Sequence, residues 1–415
     1  MMRNGRTTPT PTPALVAVVT AVLLAIAGCT APGGPQGGPD KSGSEQRGHD
    51  QGGPGKGGQR PPAAGLTITP ANGAKKVAPD AGIAVKATGG RVTQVTVTDA
   101  KGRAVKGVMG NDGTWRPQWP LRPSATYTVR AQATGAGGRQ VTATSTFTTL
   151  KPKRVLESGM APLDGEKVGV GMPVQLLLSR PITSRKARAA IERSLVVRMS
   201  KPVEGAWSWV GDREVQFRPR EYWPVGEKVT VVAHLAGLRA GPGLWGMKDR
   251  SLTFTVGPEH ITKVSAKTHE AVVRENGKVV KTIPVSLGRP GDDSYSGVMI
   301  AQEKVADMVM DSATIGKPGE YRIKTKWNVR MTYSGTFFHA APWSTGAQGN
   351  SNVSHGCVNA SPADARWFYD FTQRGDIIEV TGTSRKLRFG NGPTPWAKSW
   401  EDWLAGSALG KPVTG

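Results

Sequence analysis

Cysteine is scarce in this sequence. The 415 residues include two, Cys29 and Cys357, so the chain can form at most one disulfide. A structural zinc site usually needs four protein ligands, and one cysteine with two histidines nearby fits no standard zinc-finger spacing. We therefore predict no metal and no cofactor. A disulfide between Cys29 and Cys357 is one alternative. The other is an unpaired thiol at Cys357, which would be unusual if the protein is exported, because exported thiols tend to be oxidised.

Acidic residues are also few. Asp and Glu number 31 against 54 Lys and Arg, which gives a formal net charge of +23. A strongly basic protein attracts polyanions such as nucleic acid, an anionic membrane surface or an anionic wall polymer. The basic residues are spread along the chain and no nucleic-acid-binding motif occurs, so we expect no nucleic-acid partner. Anionic wall polymers remain candidate partners, and we expect a monomer.

A long hydrophobic run is missing as well. Residues 14–27 are apolar and follow Arg3 and Arg6, but the run is short for a membrane span and typical of a signal peptide. It ends in Ala-Gly-Cys29, which resembles the bacterial lipobox, whose cysteine is lipidated and becomes the first mature residue. We predict a signal peptide over 1–28 and a lipid anchor at Cys29 on the extracytoplasmic face of the membrane. The alternative is a plain signal peptide with an incidental cysteine.

The next part of the chain contains a repeated pattern. Residues rich in Gly, Pro, Gln and Lys predict a flexible tether, because they offer almost nothing apolar to bury. Two segments then share a motif in which an aromatic residue is followed by Arg and Pro, and Val and Thr alternate after it. An alternation with a period of two residues predicts half-buried strands. We interpret these segments as two immunoglobulin-like β-sandwich domains. The predicted boundaries are 29–64 for the tether, 65–150 and 151–257 for the two sandwich domains, 258–381 for a third domain and 382–415 for the C-terminal tail.

Turn and cap signals predict the rest of the fold. Asn276-Gly277 between two apolar runs predicts a hairpin in the third domain. Ser361 followed by proline is typical of a helix start, and a short helix is also predicted over 184–194. The tail carries three closely spaced tryptophans, Trp396, Trp400 and Trp403. We expect these to pack the tail on the folded domains. The predicted fold is mainly β, with one or two short helices in the third domain.

The segment Ser354-His355-Gly356-Cys357-Val358-Asn359, with His339 upstream, contains the residues best suited to chemistry. A thiol becomes a strong nucleophile only as a thiolate, so it needs a base, and histidine is the natural base near neutral pH. Gly356 has no side chain, which lets backbone N–H groups approach an oxyanion. The alternative is an inert buried cysteine beside core histidines.

At these residues the chain resembles the L,D-transpeptidase (YkuD-type) catalytic domain. Further stretches resemble the actinobacterial branch of that family: Met310-Asp311-Ser312, Tyr321-Arg322, Tyr333-Ser334-Gly335, Ala341-Pro342-Trp343-Ser344 and Gly346-Ala347-Gln348-Gly349. That branch also places two immunoglobulin-like domains before its catalytic domain. The resemblance runs from about residue 65 to the end and is strongest over 258–381.

The resemblance implies a reaction and a set of roles. Cys357 would attack a tetrapeptide stem of peptidoglycan, release its terminal D-amino acid as a thioester forms, and pass the acyl group to an amine of a second stem as a 3→3 cross-link. His339 would be the general base and acid, oriented by the Ala340 carbonyl, and His355 and Gly356 would shape the oxyanion hole. The implied substrate-binding residues are Tyr321, Ser334, Gly335, Asn359, Met310, Ser354 and Trp343. Carbapenem-type β-lactams would be covalent inhibitors of Cys357.

Two other functions compete with this interpretation. A cysteine peptidase or L,D-carboxypeptidase would use water in place of the acceptor amine. Papain-like peptidases place Cys before His, however, and sortases need an Arg soon after the Cys, whereas Val358-Asn359 follow here. A non-catalytic wall-binding lipoprotein would suit the basic charge and the two β domains. The intact cysteine with His339, His355 and Asn359 argues against it.

Overall fold

The computed structural model describes residues 65–135 and 138–414. The predicted signal peptide, Cys29 and the tether over 29–64 lie outside the described residues. Within them the chain is mainly β, with 28 strands and three α-helices, and this confirms the predicted fold class. No helix in the described ranges has the length and apolar character needed to span a membrane.

The first unit consists of short antiparallel sheets. Its strands are β1 (Gly65–Thr69), β2 (Ala84–Thr88), β3 (Gly90–Asp99), β4 (Gly107–Met109), β5 (Trp115–Pro117), β6 (Thr126–Gly135) and β7 (Gln140–Thr148). The largest sheet has the order β3-β6-β7, and β1 pairs with β2. Alternating Val and Thr residues turn one face of each strand toward a core in which Val129 and Phe147 are buried.

The second unit is a sandwich of two larger sheets. Its strands are β8 (Arg154–Leu156), β9 (Ser158–Ala161), β10 (Lys167–Val168), β11 (Val174–Leu178), β12 (Leu195–Met199), β13 (Glu204–Val210), β14 (Glu214–Pro219), β15 (Lys228–Ala233), β16 (Arg239–Gly241), β17 (Leu244–Gly246) and β18 (Arg250–Val256). One sheet has the order β10-β18-β15-β12, and the other contains β13-β14-β11-β9. Helix α1 (Arg185–Arg193) begins after Ser184, whose side chain accepts a hydrogen bond from the Ala187 N–H.

The third unit carries the predicted reactive residues. Its strands are β19 (His260–Ser265), β20 (Glu270–Glu275), β21 (Lys278–Pro284), β22 (Gly297–Ile300), β23 (Glu303–Asp311), β24 (Arg322–Arg330), β25 (Phe337–Ala340), β26 (Val358–Ala360) and β27 (Ile377–Thr381). They form two sheets of order β21-β20-β19-β27-β22 and β23-β24-β25-β26. Asn276 and Gly277 both have positive φ in the predicted hairpin. Helix α2 (Pro362–Phe371) begins at the Ser361 N-cap and packs Phe368 on Phe338, with ring centroids 4.0 Å apart.

Close backbone contact joins the second and third units. The N–H groups of Gly169 and Gly171 donate hydrogen bonds to the carbonyls of Arg374 and Gly375, at 2.7 and 2.9 Å. A Cβ on Gly169 would lie 2.2 Å from the Asp376 nitrogen, so only glycine permits this approach. The two units therefore meet through fixed backbone contacts.

The C-terminal tail returns to the second unit. It contains helix α3 (Trp400–Ala405) and strand β28 (Val413–Thr414), which pairs with β13. Trp403 is fully buried and its indole N–H donates to the Ala206 carbonyl at 2.9 Å. The Trp396 indole N–H donates to the Gly171 carbonyl at 2.8 Å, and the Arg218 guanidinium lies 4.6 Å from the Trp396 ring centroid. The tail thus crosses the junction between the two units.

Candidate active site

The parallel pairing of β25 and β26 brings the predicted reactive residues onto one face of the sheet. Phe338 pairs with Val358 and His339 with Asn359. The side chains of Phe338 and Val358 are buried in the core of the third unit. Because successive side chains of a strand point to opposite faces, His339 and Asn359 point away from that core. Cys357 precedes Val358 and shares the face of Asn359, so the thiol and the imidazole face the same space.

His339 is held in one tautomer. Its side chain is buried, and Nδ1 lies 2.9 Å from the Ala340 carbonyl oxygen. A carbonyl only accepts hydrogen bonds, so Nδ1 carries the proton and Nε2 keeps its lone pair. Burial lowers the pKa of His339 to about 4, although the hydrogen bond to Ala340 raises it in part. The imidazole is therefore neutral at physiological pH and can accept a proton at Nε2.

Cys357 is the free thiol of the described chain, and it is half-buried. Burial raises the pKa of the Cys357 thiol to about 11, against a smaller lowering by a backbone hydrogen bond from Phe337. Its Sγ lies 3.7 Å from the Gly335 carbonyl oxygen, so the S–H points toward that carbonyl in the resting site. The thiol and the imidazole are thus both neutral, and no thiolate–imidazolium pair is preformed.

Two cavities meet at Cys357. The first, of about 320 Å³, contains His339 and is mainly apolar; its lining residues are Met310, Tyr321, Ile323, His339, Trp343, Ser344, Val353, Ser354, His355, Cys357 and Asn359. The second, of about 700 Å³, is polar and includes Asp292, Lys317, Ser334, Gly335, Thr336, Gly356 and Arg385. Tyr321, His355 and Cys357 line both cavities. The sulfur can therefore be reached from two sides.

Comparison with known proteins decides the family. A family model described as an L,D-transpeptidase catalytic domain matches residues 259–380, and one described as a bacterial Ig domain matches residues 74–239. The chain is 38% identical to L,D-transpeptidase 2 of Mycobacterium tuberculosis over 349 residues, which cover 83% of this chain and 85% of the relative. The chain belongs to the L,D-transpeptidase family. It is an enzyme that acts on peptidoglycan, and its predicted family resemblance is confirmed.

Other members of this family are also similar. L,D-transpeptidase 5 of Mycobacterium tuberculosis is 37% identical over 362 residues, which cover 85% of this chain and 79% of the relative. A solved L,D-transpeptidase in complex with imipenem is 35% identical and covers 55% of this chain and 100% of its own, with a TM-score of 0.48. L,D-transpeptidase 3 of Mycobacterium tuberculosis with a faropenem-derived adduct is 29% identical, covers 54% and 97%, and has a TM-score of 0.46.

In this L,D-transpeptidase the loop before the cysteine is closed by its own hydrogen bonds. The Ser354 hydroxyl donates to the Cys357 carbonyl at 2.7 Å and accepts from the Gly356 N–H at 3.1 Å. Gly356 has a φ of +117°, a conformation that glycine adopts without strain. The Ser354 hydroxyl and the Gly356 N–H, predicted to serve substrate and oxyanion, are thus engaged within the loop in the resting site. Ser354 acts here by fixing the backbone that carries the thiol.

Asn359 is fixed on both its main chain and its side chain. Its backbone N–H donates to the Ser286 carbonyl and its carbonyl accepts from the Ser286 N–H, at 2.9 and 3.0 Å. Its side-chain nitrogen donates to the Ser344 hydroxyl at 3.1 Å. Ser344 lies beside Trp343, and both residues line the first cavity. Asn359 therefore connects the cysteine strand to the outer wall of that cavity.

A segment containing Lys317, Glu320 and Tyr321 joins β23 to β24 and covers the cysteine. Its buried anchor is Ser312, whose hydroxyl accepts hydrogen bonds from the N–H groups of Glu320 and Tyr321, both at 3.1 Å. Burial raises the pKa of Tyr321 to about 12, so its hydroxyl stays protonated. The Tyr321 ring lies 4.9 Å from the His355 ring, centroid to centroid. This covering segment therefore reaches the loop that carries the thiol.

Ion pairs fix the covering segment to the body of the domain. Lys317 contacts buried Asp292, and Arg289 Nε lies 2.9 Å from the same carboxylate. The pKa of Asp292 is lowered, chiefly by its hydrogen bond with Lys317. Glu320 lies 3.0 Å from His355 Nε2 and 3.5 Å from Arg289. These pairs connect the segment, the 289–292 turn and His355 in one network.

Among the described residues, one group in this network has a spacing that could hold a metal ion. Ligand atoms of Asp292, Glu320 and His355 lie within 4.8 Å of one another, a spacing that suits a divalent cation. Lys317 and Arg289 already neutralise these carboxylates, and their cationic groups would repel a bound metal. The arrangement therefore fits an ion-pair network better than a metal centre, and the absence of a metal stays a prediction.

The C-terminal tail forms part of one active-site wall. Asn391 accepts a hydrogen bond from the Ser334 N–H and donates one to the Ser334 hydroxyl, both at 2.9 Å. The Tyr333 N–H donates to the Asn391 carbonyl at 3.4 Å. Gly335, the next residue, has a φ of +94° and presents its carbonyl to the Cys357 thiol. A residue 34 positions after the cysteine thus holds the wall on which the thiol rests.

The structure brings the predicted catalytic and substrate-binding residues together around the two cavities, whereas Cys29 lies outside the described residues. It also adds residues that the sequence analysis did not select, among them Asp292, Glu320 and Asn391. Asp292 follows a Gly-rich turn, and this was the available signal for a functional loop. Glu320 and Asn391 lie in polar segments that resemble ordinary surface loops, so no sequence signal pointed to them.

Proposed function

We propose that this L,D-transpeptidase forms 3→3 cross-links in peptidoglycan through a thioester on Cys357. The observation that carries the proposal is the shared face of Cys357 and His339, with Nδ1 of His339 bound to Ala340 and Nε2 left as a base. The two cavities at the sulfur supply separate approaches for a donor and an acceptor stem. The fixed residues leave little rearrangement to the chemical step.

In the first half-reaction the Cys357 proton passes to Nε2 of His339 as the sulfur attacks the donor carbonyl. The new S–C bond gives a tetrahedral oxyanion, and in this proposal the Cys357 amide stabilises it. The C–N bond to the terminal D-amino acid then breaks, and His339 returns the proton to the departing amine. Because thiol and imidazole are both neutral at rest, proton transfer accompanies substrate attack rather than preceding it.

In the second half-reaction an amine from a neighbouring stem attacks the thioester carbonyl. The new C–N bond forms, the C–S bond breaks, and His339 carries the proton lost by the amine back to the sulfur. The larger polar cavity contains Asp292, Ser334 and Arg385, groups that suit a polar, charged peptide. Water in place of the amine would give hydrolysis, which is the carboxypeptidase alternative.

Product analysis tests this proposal. The purified chain is incubated with a disaccharide-tetrapeptide, beside Cys357→Ala, and products are identified by mass spectrometry. A cross-linked dimer with one D-amino acid released, absent with the variant, is the expected result. Release of the D-amino acid without a dimer supports the carboxypeptidase instead. No release and no dimer, from a folded chain, contradicts the proposed reaction on this substrate.

We also propose that carbapenem-type β-lactams acylate Cys357. A strained β-lactam carbonyl replaces the donor carbonyl, the sulfur attacks it and the ring C–N bond opens, so the whole drug stays attached. The accessible sulfur at the junction of two cavities supports this idea. Intact mass spectrometry should show the mass of one drug molecule added to the wild type and none added to Cys357→Ala. An unmodified wild type with a titratable thiol contradicts it.

We further propose that Cys29 is lipidated and holds the enzyme on the extracytoplasmic face of the membrane, with the basic residues available to anionic wall polymers. The signal-peptide pattern and the Ala-Gly-Cys sequence support this location. In cells, Cys29→Ser should prevent incorporation of labelled fatty acid and release the protein from the membrane fraction. Equal labelling of the wild type and the variant contradicts the assignment.

A further inference from the structure

A large cavity lies far from the cysteine in sequence, between the first and second β units. It is a groove of about 850 Å³, here called the interunit groove, and it shares no lining residue with the two active-site cavities. Its lining residues are Asp80, Trp119 and Pro120 of the first unit with Ser184, Lys186, Ala187, Ala190, Arg193, Ser194, His234, Leu238, Arg239, Gly241 and Pro242 of the second. Binding sites occur preferentially at such junctions between units.

The walls of the groove are fixed by contacts between the two units. Arg239 pairs with Asp80 at 2.9 Å. A Cβ on Gly237 would lie 2.0 Å from the Leu121 carbonyl oxygen, so the backbones of the two units are in close contact there. These contacts hold the groove open in a defined shape, which lowers the entropy lost when a ligand binds.

Two rings form an aromatic pair on one wall. Trp119 of the first unit stacks on His234 of the second, with ring centroids 4.1 Å apart and planes inclined by 15°. Both residues line the groove and both are half-buried. Burial lowers the pKa of His234, so this imidazole remains neutral and the pair offers flat, weakly polar ring surface. Such surface suits the apolar face of a sugar ring.

The other wall is one face of helix α1, and its charge is not compensated. Ala187 and Ala190 give a shallow floor between Lys186 and Arg193. Another cation of this helix, Arg188, is used internally, because its guanidinium donates to the Ile182 and Gly211 carbonyls. No acidic side chain of the described residues pairs with Lys186 or Arg193 within the salt-bridge distance of 4.0 Å. Within the described residues the two cations therefore face the groove without an acidic partner and can pair with an anionic ligand.

We propose that the interunit groove binds a carboxylate-bearing glycan strand of the wall. A sugar ring rests against Trp119 and His234, while carboxylates of the strand pair with Lys186 and Arg193. The choice of a wall glycan rests on the proposed function, and the ring pair with two cations supports a saccharide over a bare polyanion. The groove holds the enzyme on a glycan strand while the active site works on the stems attached to it.

Binding of stem-free glycan strands tests the proposal. The strands are prepared with an amidase that removes the stems and leaves a free lactyl carboxylate on each muramic acid, and their methyl esters are the control ligand. Affinity is measured for the full-length wild type, for K186E/R193E and for W119A. The matched control is R180E/R185E, which makes the same charge change in the same unit outside the groove lining.

We expect K186E/R193E and W119A each to weaken binding by about tenfold or more, while R180E/R185E stays close to the wild type. The methyl-esterified strands should bind the wild type weakly. Equal loss in the control variant, equal binding of the esters, or wild-type affinity in K186E/R193E overturns the proposal. Turnover of a soluble disaccharide-tetrapeptide is measured on the same variants. Intact turnover without glycan binding overturns the groove assignment alone, and intact glycan binding without turnover overturns the proposed reaction alone.

Discussion

The side-chain amide of Asn391 forms two hydrogen bonds of 2.9 Å with Ser334, one to its N–H and one to its hydroxyl. Ser334 precedes Gly335, whose carbonyl lies 3.7 Å from Cys357 Sγ. The tail that bears Asn391 is itself anchored in the second β unit through buried Trp403. The reactive thiol therefore rests on a wall that the C-terminal tail supports.

Replacing Asn391 tests this positioning role. Asn391→Ala removes both hydrogen bonds, and we expect cross-linking kcat to fall about tenfold with little change in KM or in melting temperature. Asn391→Asp still accepts from the Ser334 N–H and hydroxyl, so it should restore most of the activity. A loss of kcat that follows a loss of folded protein in both variants would show a merely structural role.

The neutral Cys357 thiol and the neutral His339 imidazole predict how alkylation of Cys357 depends on pH. Because the thiol pKa is raised to about 11, alkylation of Cys357 by iodoacetamide without substrate should increase steadily from neutral pH toward that value. Because the pKa of His339 is lowered to about 4, its neutral form is present across the neutral range and is lost only near that pH. His339→Gln should therefore leave the alkylation profile nearly unchanged yet abolish cross-linking. An alkylation plateau below pH 8 would instead indicate a preformed thiolate.

Gly356 tests the conformation of the cysteine loop. In Gly356→Ala the alanine backbone must adopt a φ of +117°. This conformation costs about 1–3 kcal/mol, and relieving the strain displaces Cys357. We expect acyl-enzyme formation to fall at least tenfold while the fold survives. Gly346→Ala is the matched control, because a Cβ there meets nothing within 4 Å. Equal rates of acyl-enzyme formation in the two variants would mean that the reaction does not depend on the conformation of Gly356.

Trp403 tests the anchoring of the tail. The side chain is fully buried and its N–H is bound, so Trp403→Ala should lower the free energy of unfolding by about 3–5 kcal/mol. Trp343 is 55% exposed, and Trp343→Ala should change that free energy by about 0.5 kcal/mol or less. Denaturant titration of both variants measures the difference. Similar stabilities would contradict the anchoring role of Trp403.

Local signals predicted much of the fold. Asn276-Gly277 predicted a hairpin because both positions need positive φ, and Ser361 before a proline predicted the start of α2. The short helix predicted over 184–194, where Arg and Ala dominate, corresponds to α1. Turns and helix starts depend on residues that are adjacent in the chain, so they can be predicted from the sequence alone. The reactive residues were also accessible to sequence reasoning, since the short segment around Cys357 carries most of their chemistry.

Long-range geometry was not accessible in this way. The shared face of His339 and Cys357 depends on the parallel register of β25 and β26, which no local pattern specifies. Strand β24 likewise extends back to Arg322 through a polar stretch, because it pairs there with β23. Asn391 reaches Ser334 only because the tail returns across the junction. Such contacts arise from packing between distant segments rather than from propensity.

The central claim, a thioester on Cys357, is tested most directly by trapping the acyl-enzyme. The purified chain is mixed with excess disaccharide-tetrapeptide, quenched in acid within seconds and mapped by peptide mass spectrometry. We predict that the peptide containing Cys357 gains the mass of the donor minus its terminal D-amino acid, and that hydroxylamine removes this mass. Cys357→Ala should show no adduct. An adduct on another residue, or D-amino acid release by Cys357→Ala at the wild-type rate, would contradict the account.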